Sequence, residues 1–451
     1  MFTSIDPATG ETIATYQELT ADEIEAKVRR AHEAYGQWRL SSYAERTDLL
    51  ARIAARFEAD KRRLAEIATR EMGKTLKSAI AEVEKCAAAF RHYAENGPAM
   101  LEDRKVRTAT GTATARWLPM GPVLAVMPWN FPYWQVVRFA APTIMAGNVG
   151  LLKHASNVQG VAAALAETIR AAGAPEGLFQ NLAIKSGKVE GLIADDRIVA
   201  VTLTGSEGAG VAVAEAAGRA LKKVVLELGG SDPFIVMPSA DLDAAATAAV
   251  TARVQNTGQS CICAKRMIVH AEVYDAFMDR FVAGMKAVRA GDPMDAATDM
   301  GPLSSEAQRR TVLDQLDRLR RAGAKLVGGE ALPGRGAYLS AGVLTDVPLD
   351  DPVAREELFG PVAMVFRAAD IDEAIRIANH VPFGLGSSVW TIDPAEQHRF
   401  VRDIEAGMTA INQMLASAPA APFGGVKRSG HGRELGPYGL HEFMNLKAVM
   451  A

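Results

Sequence analysis

Cys261 closes the run Val254-Gln255-Asn256-Thr257-Gly258-Gln259-Ser260-Cys261. A cysteine placed just after a Gly-Gln-Ser turn is lifted onto a loop. Backbone N–H groups beside it can lower its thiol pKa and stabilise an oxyanion formed next to it. That setting suits a thiolate nucleophile, against the ordinary alternative of a small buried hydrophobe. Upstream, Val224-Val225-Leu226-Glu227-Leu228-Gly229-Gly230 reads as an apolar strand with one carboxylate at its end. An apolar setting raises a carboxyl pKa, which fits Glu227 to take a proton from a thiol or a water near neutral pH. Farther upstream, Pro128-Trp129-Asn130-Phe131-Pro132 sets an amide on a stiff, aromatic-flanked turn, and the Asn130 NH₂ can donate to a developing oxyanion.

These residues need a frame. Residues 22–95 read as helical, with Asp22 as a cap and a helix end at Glu71-Met72-Gly73-Lys74 closed by Gly73. Between Val106 and Trp117 the pattern is strand, turn at Gly111, strand. From Pro119 onward, strands at 123–127, 149–153, 178–184 and 199–203 alternate with helices at 134–147 and 158–173. Such alternation predicts a parallel sheet covered by helices on both faces, with ligands at the carboxyl ends of the strands. Asn130, the string Lys153-His154-Ala155-Ser156 and the pair Gly205-Ser206 all fall at such ends. The run Gly205-Ser206-Glu207-Gly208-Ala209-Gly210 opens a helix whose free N–H groups could receive a pyrophosphate. It is not the G-x-G-x-x-G fingerprint, and a glycine-rich turn with no ligand fits it equally well. After Gly230 a second α/β unit is expected, with a strand at 234–237, a helix at 241–255 and a strand at 267–270, continuing to about residue 415.

Bulk properties narrow the classes. A chain of 451 residues exceeds one hydrophobic core and suits two or three domains. It is 49% hydrophobic and 23% charged, and its 50 Lys and Arg against 53 Asp and Glu leave a net charge of −3. No basic excess is available for phosphates, so no nucleic-acid or anionic-membrane partner is expected. Met1-Phe2-Thr3-Ser4-Ile5-Asp6-Pro7 has an early acid and no apolar run, so no signal peptide is expected. The apolar region Val123 to Leu152 is interrupted by Pro128, Asn130, Pro132, Arg138 and Pro142, too often for a membrane span. Three cysteines make neither a disulfide framework nor a four-ligand zinc site, so a cytoplasmic protein without a metal is expected.

Asn130, Glu227 and Cys261, within W-N-F-P, L-E-L-G-G and N-T-G-Q-S-C, resemble the aldehyde dehydrogenase superfamily. The likeness runs on through Lys153-His154-Ala155-Ser156, Thr204-Gly205-Ser206, Glu356-Glu357-Leu358-Phe359-Gly360-Pro361 and Pro422-Phe423-Gly424-Gly425-Val426-Lys427, in the family's order and across nearly the whole chain. It implies an α/β protein: a Rossmann-like cofactor domain (1–100 and 118–229), an α/β catalytic domain (230–440) and a β-hairpin oligomerisation arm (101–117 and 441–451). It also implies a homodimer or homotetramer. By the same resemblance Cys261 attacks an aldehyde and Asn130 with the Cys261 N–H holds the oxyanion. Glu227 then activates the water that releases a carboxylic acid from the Cys261 thioester.

The resemblance also assigns a nicotinamide cofactor to Gly205 and Ser206, Trp129, Leu228, Lys153 and Ser156, with Glu357 on the nicotinamide ribose and Phe359 near the ring. NAD-preferring relatives commonly carry a glutamate where Ser156 stands. A hydroxyl beside Lys153 leaves positive charge facing the ribose, so NADP is expected, with NAD also accepted. His154 is expected to pack rather than to bind phosphate.

Arg138 stands eight residues after Asn130, where succinate-semialdehyde dehydrogenases carry an arginine that grips the substrate carboxylate. Their second arginine, six residues before the cysteine, is Gln255 here, and Ser417 can add a hydroxyl. L-E-L-G-G-S-D-P-F-I-V, K-H-A-S and G-L-H-E-F resemble the bacterial NAD(P)-dependent branch of that family. The implied substrate is succinate semialdehyde; a broader aliphatic or semialdehyde range, with Arg138 salt-bridged structurally, is the alternative. Cys263, one residue beyond Ile262, resembles the second cysteine of relatives that form a reversible disulfide with the nucleophile under oxidants.

Overall fold

The computed structural model describes residues 1–450. Four helices, Ala21–Trp38, Tyr43–Ala59, Lys61–Met72 and Leu76–Met100, fill the predicted helical region. Gly73 ends the third at φ +85°, where a Cβ would stand 2.9 Å from Pro302. A left-handed residue pressed against a proline ring must be glycine.

The first sheet has six strands. Its centre is parallel: Val149–Lys153 beside Pro122–Val126, then Ala200–Thr204, then Lys223–Glu227. All of the central residues except Val126 and the first two of Lys223–Glu227 are buried. Burial on both faces explains why these strands read as continuous apolar runs rather than alternating ones. Phe179–Asn181 adds one edge, shorter than the predicted 178–184. Gly430–His431 pairs antiparallel with Lys223–Glu227 at the other edge. Phe423, Leu435, Leu440 and Phe443 also pack into this first core, so the segment 423–443 returns to the domain in which the chain began. The physical reason is that the end of the Glu227 strand needs a pairing partner and an apolar cover.

The second sheet has seven strands and contains Asp232–Val236 beside Ala264–His270 and Val362–Ala368, all parallel. The Leu242–Val254 helix, rich in alanine, packs its small buried face against it. Arg104–Thr108, Gly111–Pro119 and Met444–Met450 form a separate three-stranded antiparallel sheet. No helix among the described residues is long and apolar enough to cross a membrane.

Candidate active site

The segment that delivers Cys261 is strained and tightly held. After the Leu242–Val254 helix, Asn256, Thr257 and Gly258 all take positive φ (52°, 57° and 72°). A β-branched threonine there costs of order 1–3 kcal/mol, so the surroundings must hold it. They do: Thr257 Oγ1 donates to the Gly301 carbonyl at 3.1 Å, and Asn256 Nδ2 donates to the Asn130 carbonyl at 2.7 Å. Arg253 is fully buried and donates to the Gly258 carbonyl at 2.8 Å. A Cβ on Gly258 would lie 2.2 Å from the Gly360 oxygen. Lys265, also fully buried, donates to the carbonyls of Ser260 (2.8 Å) and Cys261 (2.7 Å). The turn therefore has one allowed shape, and it presents Cys261 partly exposed in a cavity of about 300 Å³.

Asn130 reaches the same cavity from the loop after Pro122–Val126. Its Nδ2 donates to the Gln259 carbonyl at 3.1 Å, and its Oδ1 accepts from Gln135 Nε2 at 2.9 Å. This leaves one amide N–H of Asn130 for a ligand. The loop is fixed from beneath by a buried ion pair between Lys74 and Glu82. Glu82 Oε1 accepts the N–H groups of Tyr133 (2.8 Å) and Trp134 (2.9 Å), satisfying the open start of the Trp134–Ala146 helix. The Lys74 ammonium also lies 4.1 Å from the Phe131 ring centroid.

Trp129, Gly205, Ser206, Leu228, Glu357 and Phe359 share the cavity wall with Asn130 and Cys261. Trp129 and Phe359 meet edge to face at 5.9 Å. Glu357 accepts from Lys265 at 3.0 Å and from the Gly230 N–H at 3.2 Å. Its carboxylate lies so close to Gly229 that a Cβ there would be 2.5 Å from it, which explains the Gly229-Gly230 pair. Ser206 caps the Glu207–Arg219 helix, and a side chain on Gly208 would meet nothing within 4 Å. Ser206 Oγ takes the Ala209 N–H, and the Glu207 and Gly208 N–H groups have no intrahelical acceptor, which fits a dinucleotide phosphate.

Lys153 and Ser156 lie apart from the Cys261 cavity, at the end of the neighbouring Val149–Lys153 strand, with Lys153 mostly buried and Ser156 exposed. No carboxylate among the described residues pairs with Lys153, and burial lowers its pKa. His154 is fully buried, accepts the Ala155 N–H at 2.9 Å and bonds the Pro132 carbonyl through Nε2 at 2.9 Å. Burial lowers its pKa to about 4, so it is a neutral staple between the Lys153 and Asn130 loops.

Glu227 ends its strand beside the cavity wall rather than on it. Its carboxyl is 2% exposed, has no hydrogen-bond partner, and packs where a Cβ on Gly424 would stand 2.7 Å away. Burial first, and then the charge of Glu434, raise its pKa well above the ordinary range; Arg138 opposes them. Arg138 Nε lies 2.7 Å from Glu434 Oε2. One guanidinium thus faces two buried carboxyls, and the group retains a proton that Glu227 carries when Glu434 is ion-paired.

Two expectations change. The Gly-Gln-Ser turn predicts a lowered thiol pKa at Cys261, but burial pushes it up to about 12, against the opposing charges of Arg138 and Lys265. The thiol is therefore protonated near neutral pH in this structure. Gln255, read as near the substrate, lines a separate surface groove with Thr75, Ser78 and Asp299, because the left-handed turn at 256–258 reverses the chain between Gln255 and Cys261. Cys263 is fully buried, and its thiol donates to the Gln255 carbonyl at 3.6 Å. Ser417 lies against Trp134 and Lys85, and accepts from both.

The whole-chain comparisons match this geometry. A family model described as the aldehyde dehydrogenase family matches residues 1–449. The chain belongs to the aldehyde dehydrogenase family. It is 54% identical over 450 residues to succinate-semialdehyde dehydrogenase (NADP+) 1 of Mycobacterium tuberculosis strain H37Rv, covering 99% of this chain and 98% of the relative. It superposes on the crystal structure of succinic semialdehyde dehydrogenase from Streptococcus pyogenes in complex with NADP+, with a TM-score of 0.98, 37% identity and complete coverage of both chains. A structure described for cofactor and substrate selection by Gox0499 matches at TM-score 0.98 and 40% identity, covering 100% of this chain and 99% of that one. As a member of the aldehyde dehydrogenase family, the chain is an NAD(P)-dependent oxidoreductase that converts aldehydes to acids.

Arg253, Lys265, Lys74, Glu82 and Glu434 are the supporting residues that sequence reading missed. Arg253, a lone charge late in an alanine-rich helix, carries a local signal; the others stand close to further charged residues and carry none.

Proposed function

We propose that this chain oxidises succinate semialdehyde to succinate, with NADP preferred and NAD accepted. Arg138 carries the reading of the substrate. It is 3% exposed, follows Asn130 on the Trp134–Ala146 helix, and keeps a buried Nη2 without a hydrogen-bond partner. Its charge acts on Cys261 and Glu227, so it stands near the reacting centre. An unpartnered buried guanidinium N–H is costly unless a ligand completes it, and a carboxylate does so well. The names of the relatives point the same way.

In this reading the Cys261 sulfur bonds to the aldehyde carbon, and the carbonyl electron pair becomes an oxyanion. The free Asn130 N–H and the Cys261 backbone N–H hold that oxyanion. The thiol proton leaves to solvent, because Glu227 already holds one, and Glu227 releases its own before the thioester is hydrolysed. Lys153, Ser156, Gly205, Ser206, Leu228, Trp129, Glu357 and Phe359 would hold NADP, which would accept the hydride lost from the adduct carbon as the oxyanion re-forms the C=O of a thioester. Glu227, once deprotonated, takes a proton from water; the water oxygen bonds to the acyl carbon, the C–S bond breaks, and the acid leaves. Ser417 adds a hydroxyl to the carboxylate end of the substrate.

Subunits meet, in this proposal, through the three-stranded sheet, whose Val106, Leu446, Val449 and Met450 are 40%, 50%, 37% and 68% exposed. The protein is then a dimer or tetramer with no nucleic-acid or membrane partner, and its free Cys86, Cys261 and Cys263 fit a cytoplasmic location. Under a peroxide-class oxidant, which takes the two electrons and two protons, Cys263 forms a reversible disulfide with Cys261 once its thiol leaves the Gln255 carbonyl.

The test is kcat/KM for succinate semialdehyde against butanal, which lacks the carboxylate, with NADP. Wild type should favour the acid by roughly tenfold or more, and Arg138→Ala should lose that preference. Equal handling by wild type would favour the broader-range alternative.

A further inference from the structure

The donors around Ser417 outnumber the acceptors. Ser417 Oγ receives Lys85 Nζ at 2.8 Å and Trp134 Nε1 at 3.0 Å. A hydroxyl has two acceptor lone pairs and one donor. Both lone pairs are used, and the Ser417 O–H has no protein acceptor among the described residues. Lys85 comes from the Leu76–Met100 helix, is half-buried, and lies 4.5 Å from the Trp134 ring centroid. No carboxylate among the described residues stands within ion-pair distance of its ammonium. Trp134 and Arg138 are four residues apart on one helix and so share a face, which places the ammonium one turn from the guanidinium.

Charge counting separates the two cations. Arg138 is already matched by Glu434. Glu227 is held neutral by burial and by that same Glu434 charge. Lys85 is the positive charge without a counter-ion, and it sits with an open hydroxyl donor and the open Nη2 of Arg138. Three unspent donors and one unmatched positive charge call for a group that only accepts hydrogen bonds and carries one negative charge, which is a carboxylate.

We propose that Lys85 is a specificity-determining residue, the second cationic contact for the substrate carboxylate, supplied from the Leu76–Met100 helix with Ser417 and Arg138. The inference rests on the carboxylate reading of the substrate given above. It also gives that reading a pH signature. Burial first, and then the Arg138 charge, lower the Lys85 pKa to about 8, with Cys86 and Glu82 opposing them. Glu82 is itself bound to Lys74 and two backbone N–H groups, and Ser417 and Trp134 are uncharged. Lys85 is therefore charged below about pH 8 and loses its charge above it.

The experiment is the ratio of kcat/KM for succinate semialdehyde to that for butanal, measured with NADP in wild type, Lys85→Met, Lys85→Arg and Arg138→Ala across that pH range. Lys85→Met should cut the ratio by roughly tenfold, mainly through KM for the acid, as expected for a lost charge-assisted bond. Lys85→Arg should keep most of the ratio, and should keep it at pH values where the wild-type ratio falls. A Lys85→Met ratio equal to wild type, with Arg138→Ala still losing preference, overturns the role of Lys85 and leaves the substrate reading standing. A wild type with no preference overturns both.

Discussion

Lys74→Met tests whether the buried pair under the Asn130 loop holds that loop. Lys74 and Glu82 have side chains 0% and 2% exposed. Removing the ammonium leaves a buried carboxylate facing two backbone N–H groups, at 2.8 and 2.9 Å. Breaking a buried pair from one side costs about 3–5 kcal/mol. Because those two charge-assisted bonds survive, the lower end applies, about 3 kcal/mol. At about 2–4 °C per kcal/mol for a domain of this size, the melting midpoint should drop by about 6–12 °C. In Lys74→Met with Glu82→Gln, the glutamine oxygen still accepts both N–H groups and no charge is stranded. The double variant should therefore lose less than the single one, about 1–2 kcal/mol, the cost of an amide NH₂ left without an acceptor. The assay is calorimetric melting at one fixed scan rate. If the single variant loses under about 1 kcal/mol, or the double variant melts below the single one, the pair does not hold the loop as argued.

Cys261 in the free enzyme should react with iodoacetamide at a rate that climbs steadily with pH and shows no plateau near neutrality, because its thiol is pushed up to about 12; a plateau below about pH 8 would show a preformed thiolate. Ser156→Glu should shift kcat/KM from NADP toward NAD, by roughly tenfold or more as a carboxylate meets the 2′-phosphate; an unchanged ratio would remove Ser156 from the ribose site. Burial raises Asp232 from its ordinary 3.8 to about 7. Folding thus favours its protonated form: the associated stability is fully present below its unfolded pKa and is lost as pH rises to the folded one. Asp232→Asn should accordingly gain more over wild type at about pH 8 than at about pH 5, read from urea midpoints, and a gain independent of pH would contradict the assignment.

Some of this was legible in the sequence for a local reason. Asn130, Lys153 and Glu227 each end or follow a short apolar strand, and such ends are where α/β sheets bind ligands. Gly205-Ser206 was legible because an N-cap serine before a glycine-containing helix start has a local signature. What escaped depended on contacts far along the chain. Lys85 looks like a solvated lysine on an amphipathic helix until Ser417, Trp134 and Arg138 are brought beside it. The pairing of Arg138 with Glu434 joins a central helix to the returning C-terminal segment. The turn before Cys261 pointed to a low thiol pKa, but desolvation is set by everything that covers it. The groove that Gln255 lines with Thr75 and Asp299 follows from three successive left-handed residues, which a residue count back from Cys261 does not show.

The central claim is that Cys261 carries the acyl group and Glu227 is needed to release it. Rapid mixing of Glu227→Gln with NADP and succinate semialdehyde tests this most directly, followed by mass analysis of the quenched protein. The account predicts a burst of reduced nicotinamide limited to a single turnover, then near-silence, with the succinyl adduct on the Cys261 peptide. Steady turnover at the wild-type rate, or a burst that leaves no adduct on Cys261, would contradict it.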